Sequence, residues 1–88
     1  MLKEKRKMCT EIAEIYERIG ENLMKKYENS IDEYPFLIEA AEIKDKLFAE
    51  AINCFENAKK YRKLSMTKIG LILTSKEKLE KELTNLKK

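Results

Sequence analysis

The 88-residue chain has no histidine and no tryptophan, and it contains only two glycines, two cysteines and one proline. Without histidine it lacks the usual general base near neutral pH and a common metal ligand. Two cysteines are too few for a structural zinc site within one chain, or for a disulfide scaffold. No glycine-rich phosphate loop is present. We therefore expect a non-enzymatic protein with no metal, no cofactor and no small-molecule substrate.

Long apolar runs are also missing from the chain. No segment approaches the roughly 20 apolar residues that a membrane-spanning helix requires. The basic start, residues 1–7, is followed by a charged amphipathic stretch and not by the apolar core of a signal peptide. We expect a cytoplasmic protein without a membrane partner.

Charged residues make up 40% of the chain, and lysine, glutamate, isoleucine and leucine dominate it, as is typical of long exposed helices. Apolar residues spaced three and four apart predict one helix over about residues 2–28 and a second over about residues 35–63. Pro35 separates them, because proline disfavours a helical conformation in Tyr34 and fits the first turn of a new helix. The length indicates a single domain, residues 1–88.

The two apolar stripes also match when the chain is folded back near residues 31–32. Ile12 then lies opposite Ala51, Tyr16 opposite Leu47 and Cys9 opposite Cys54, so that apolar residues meet at each of these levels. The pattern predicts an antiparallel helical hairpin with a close pair of reduced thiols, which a short bridging reagent should join.

The C-terminal part allows two interpretations. Thr74 and Glu77 match a capping box, Gly70 could end the preceding helix, and a leucine stripe follows, so a third helix over about residues 75–87 would complete a small three-helix bundle. Alternatively, the three-four spacing continues from the second helix, which predicts one very long helix completed by a dimer partner. We favour the three-helix bundle, because the capping box and Gly70 both indicate a break.

Charge is distributed unevenly along the chain. Residues 1–7 carry four bases and one acid, residues 8–58 five bases and twelve acids, and residues 59–88 ten bases and three acids. In the predicted hairpin, two basic segments meet at the open end and form a basic tip that could attract phosphate. The residues of this predicted anion-binding patch are Lys3, Lys5, Arg6, Lys7, Lys59, Lys60, Arg62 and Lys63.

Two functions fit this sequence. The first is a small helical protein–protein interaction module, a regulator or adaptor, which associates with itself as a homodimer. Its predicted contact residues, in a segment too apolar to be left exposed, are Met66, Ile69, Leu71 and Ile72. The alternative is nucleic-acid binding through the basic tip formed by residues 3–7 and 59–63.

Overall fold

A computed structural model describes residues 2–33 and 38–88, with the side chains of residues 2–30 and 41–88. The described part is all-α. Four helices follow one another along it: α1 (Leu2–Glu33), α2 (Ile38–Met66), α3 (Lys68–Leu73) and α4 (Lys76–Lys87). The predicted small helical bundle, with its hairpin and its C-terminal helix, is confirmed.

The first helix is longer than the sequence predicted. The segment 29–33, predicted as part of the break, continues α1 to Glu33. Ser30 remains compatible with the helix because its hydroxyl donates a hydrogen bond to the Tyr27 carbonyl, at 2.7 Å. Asn and Ser each cost a helix interior less than about 0.7 kcal/mol relative to alanine, and tertiary packing of a helix commonly outweighs such preferences. Pro35 and its predicted role lie outside the described residues.

The longer α1 moves the point where the chain reverses, so the predicted register of the hairpin is wrong. Tyr16 stacks on Tyr61, with ring centroids 6.1 Å apart, and Tyr27 packs against Phe48. Gly20 faces the ring of Phe55. The predicted register would have placed partners 12 to 14 residues earlier on α2 opposite these positions. Moving the reversal point by a few residues shifts the facing positions by twice that number.

The second helix ends at Met66, which rules out the single very long helix. Thr67 adopts an extended conformation, with φ −106° and ψ 111°. The short helix α3, which the sequence did not predict, begins immediately after it. Gly70 lies inside α3 and has no positive φ, so the prediction that it ends the preceding helix is wrong.

The last helix begins one residue later than the capping box predicted. The N-cap of α4 is Ser75, whose hydroxyl accepts a hydrogen bond from the Lys78 amide. Thr74 instead ends α3, because both its amide and its hydroxyl donate to the Gly70 carbonyl. Ion pairs join Lys76 to Glu4, at 2.9 Å, and Lys87 to Glu11, at 3.0 Å. The fourth helix therefore runs parallel to α1.

The molecule is elongated. Its radius of gyration is 16.1 Å, whereas a compact chain of this length would have about 12 Å. The main core lies at the end of the hairpin that α3 and α4 cover. Its buried members are Cys9, Ile12, Leu71 and Leu79. The other half of the hairpin consists of α1 and α2 alone, because α4 spans only the N-terminal part of α1.

Candidate interaction surface

Large apolar side chains are exposed where α2 passes into α3. Met66 is 84% exposed, Ile69 68%, Ile72 56% and Leu73 80%. We call these four residues the C-terminal apolar surface. Four large apolar side chains within eight residues form a concentration that a small soluble protein seldom leaves uncovered unless it binds something.

The predicted contact set therefore needs one correction. Leu71 is fully buried and belongs to the core, so its side chain cannot reach a partner. Leu73, which is not among the predicted residues, is exposed instead. A six-residue helix after an extended Thr67 turns a different set of side chains outward than a continuation of α2 would. The start of α3 at Lys68 is thus what sends Leu71 inward and Leu73 outward.

Two of the predicted anion-binding residues hold the ends of helices. Lys5 Nζ donates to the Leu71 carbonyl at 3.1 Å, and Arg6 Nε donates to the Ser65 carbonyl at 2.9 Å. Carbonyls in the last turn of a helix lack intrahelical partners, and cations there interact favourably with the helix dipole. Lys5 and Arg6 thus supply from α1 the C-terminal capping that α2 and α3 need.

A third predicted anion-binding residue is neutralised by a carboxylate. The guanidinium of Arg62 forms a hydrogen-bonded ion pair with Glu17, at 2.9 Å from Nε to Oε1. This partner raises the pKa of Arg62, although both groups are exposed to solvent. Lys60 lies over the ring of Tyr61, at 5.8 Å from its centroid. Phosphate binding by the eight residues stays a prediction, with four of them already engaged within the chain: Lys5, Arg6, Lys60 and Arg62.

The remaining candidate chemistry is limited. Burial raises the pKa of both thiols, the buried Cys9 and the half-buried Cys54, which reduces their nucleophilicity at neutral pH. Within the described residues, no three His, Cys, Asp or Glu side chains lie close enough together to hold a metal ion. In the same part of the chain, no helix combines the length and the apolarity that crossing a bilayer requires.

A third feature is a stripe of side chains along one flank of α2. The positions recur every three or four residues, as along one side of a helix, and all eight side chains are exposed. We call these residues the α2 stripe: Ala41, Asp45, Phe48, Ile52, Glu56, Lys59, Lys63 and Met66. Helix α4 packs on α1 and lies near the opposite flank of α2, beside Tyr61 and Leu64. The stripe stays exposed along its length, although Tyr27 of α1 packs against Phe48 and α3 lies beside Lys63.

Comparison with known proteins adds no identification. The chain has no significant match among protein-family models, curated proteins or solved structures. The function must therefore be inferred from the surfaces described above.

Proposed function

We propose that the protein is a small non-enzymatic interaction module that associates with itself and acts as a regulator or adaptor. The observation that carries this proposal is the C-terminal apolar surface. Removing apolar area from water contributes about 25 cal/mol per Å², so covering four such side chains would favour association substantially. Their exposure in the free chain leaves that contribution available for binding.

The charged groups nearby are consistent with this role. Lys5 and Arg6 fix the ends of α2 and α3 beneath the apolar surface, so its short helix is held in place before any partner arrives. A contact surface that is already ordered binds with a smaller loss of conformational entropy. Two features of α3 therefore support a binding role: its ordered conformation and the exposure of its side chains.

The mass of the protein in solution tests the proposal. We expect the wild-type mass to rise with concentration from 10.4 kDa towards twice that value in sedimentation equilibrium. The double variant Ile69→Lys/Leu73→Lys should stay monomeric over the same range, because each lysine places a charge within the contact. Both positions are exposed, so the fold should survive, and circular dichroism checks that it does.

A matched control adds the same two charges elsewhere. Asn29→Lys/Asn85→Lys changes two exposed polar residues far from the C-terminal apolar surface and should associate like the wild type. A wild-type chain that remains at 10.4 kDa at every concentration would contradict the proposal, as would a surface variant that dimerises like the control.

A further inference from the structure

The α2 stripe divides into two halves of opposite charge. Its N-terminal half carries Asp45 and Glu56 around the exposed Phe48 and Ile52, which are 45% and 41% exposed. Its C-terminal half carries Lys59 and Lys63 and ends in Met66, which also belongs to the C-terminal apolar surface. Among the described residues none of these four charged side chains forms an ion pair, unlike Arg62 and Lys76.

The spacing of the stripe is that of a helix–helix contact. Successive positions are three or four residues apart from Ala41 to Met66, the last residue of α2. This spacing keeps one side of a helix facing a neighbour that crosses at a shallow angle of about 20°. The exposed flank is therefore long enough for another helix to pack along it.

The charges of the α2 stripe then indicate which partner helix it binds and in which direction that helix runs. In a parallel pair of identical stripes, Glu56 would face Glu56 and Lys59 would face Lys59, and like charges across an interface are destabilising. An antiparallel pair in which Glu56 of each copy faces Lys59 of the other replaces both repulsions with attractions. The register with Glu56 opposite Lys59 places Phe48 opposite Met66, and Ile52 under the aliphatic stem of Lys63.

From this complementarity we propose that the α2 stripe binds a second copy of this chain in an antiparallel, two-fold symmetric dimer. This proposal rests on the self-association proposed above and specifies its surface, direction and register. In a two-fold dimer each contact occurs twice, so the Glu56–Lys59 pair is made at two places around the symmetry axis. Met66 joins the stripe to the C-terminal apolar surface, so both surfaces lie in one continuous interface.

A charge-reversal cycle tests this register. Glu56→Lys places two pairs of lysines in contact and Lys59→Glu two pairs of glutamates, so each should raise the dimer dissociation constant by about tenfold or more. The double variant Glu56→Lys/Lys59→Glu restores both attractive pairs and should return the dissociation constant close to the wild-type value. Added salt should reduce the difference between the single variants and the wild type.

The controls carry the same changes in net charge on α1, outside the α2 stripe. Glu21→Lys and Lys25→Glu, both at exposed positions, should leave the dissociation constant unchanged. Sedimentation equilibrium gives the dissociation constants, and circular dichroism confirms that every variant is folded.

The possible results separate the two proposals. A dimer that is abolished by Ile69→Lys/Leu73→Lys, yet unaffected by the two single reversals, would overturn the antiparallel register and leave the interaction module standing. Single reversals that weaken the dimer without rescue in the double variant would also overturn it. A wild-type chain that stays monomeric would overturn both, with the stripe then free or bound to a different protein.

Discussion

At the scale of single residues, Gly20, which is buried in α1, packs directly against the ring of Phe55 on α2. A β-carbon at this position would lie 2.9 Å from Cε1 and Cζ of Phe55. An alanine inside a helix is favoured over glycine by about 1 kcal/mol, but moving a packed ring costs about 1–3 kcal/mol. We therefore expect Gly20→Ala to lower the free energy of unfolding by about 1 kcal/mol, measured by urea denaturation.

The same substitution in a second background isolates the ring as the cause. Phe55→Leu removes the ring atoms that the new methyl group would meet. In that background Gly20→Ala should be neutral or stabilising, because only its helix preference remains. An equal loss of stability in both backgrounds would show that the contact with Phe55 is not what requires glycine.

At the scale of elements, three helices meet at a pair of tyrosines. The hydroxyl of Tyr16 on α1 donates to the Glu82 carboxylate on α4, and its ring stacks on Tyr61 of α2. Burial and the Glu82 carboxylate raise the pKa of Tyr16 above its ordinary value of 10.0. Burial likewise raises the pKa of Tyr61. The folded state thus favours the protonated phenols.

This preference predicts how stability depends on alkaline pH. The unfolded chain loses its phenolic protons near pH 10, while the folded chain keeps them to higher pH. The free energy of unfolding should therefore fall as pH rises above about 10. Tyr16→Phe should lower stability at neutral pH by about 1 kcal/mol, through the lost hydrogen bond, and make the alkaline decline shallower. Urea denaturation between pH 7 and 11 measures both effects, and an unchanged decline in the variant would contradict this assignment.

The elements themselves could be predicted from the sequence much better than their register. Apolar spacing identified the hairpin and α4, because periodicity reports which face of a helix is buried. Register depends on where the chain reverses, and at Asn29 and Ser30 the sequence offered only weak preferences. The C-terminal apolar surface was predicted in part: Met66, Ile69 and Ile72 are exposed, whereas the break at Thr67 exchanged Leu71 for Leu73.

The corrected register gives a direct test with the two cysteines. A shift of 12 residues moves facing positions by about 18 Å along a helix. A disulfide needs Cα atoms within roughly 7 Å, so Cys9 and Cys54 should not be joined by mild oxidation or by a short bridging reagent. Mass spectrometry of the unfolded product should find two separate thiols, with the half-buried Cys54 labelled faster than Cys9. An efficient intramolecular crosslink would restore the register predicted from sequence.

At the scale of the whole molecule, stability should be unevenly distributed along the hairpin. The covered half contains the main core, in which Tyr16, Tyr61 and Leu64 pack around the buried residues. The uncovered half, residues 19–30 and 41–53, has two helices joined by contacts such as Tyr27 with Phe48. Helices with few buried contacts open locally at low free energy. Amides of residues 20–30 and 41–53 should therefore exchange hydrogen faster than those of residues 5–18 and 54–64 in dilute protein.

Raising the protein concentration should increase protection from hydrogen exchange more in α2 than in α1 within the uncovered half. In the antiparallel dimer, Phe48 and Ile52 of each copy are covered by the partner's basic half, so amides of residues 45–53 should become more protected. Residues 20–30 lie on α1, where Tyr27 contacts Phe48, and gain protection only indirectly, through their packing against α2. Hydrogen exchange followed by mass spectrometry at two concentrations compares these segments within one molecule. Equal protection of both segments at both concentrations would show that α2 acquires no neighbour on its exposed flank.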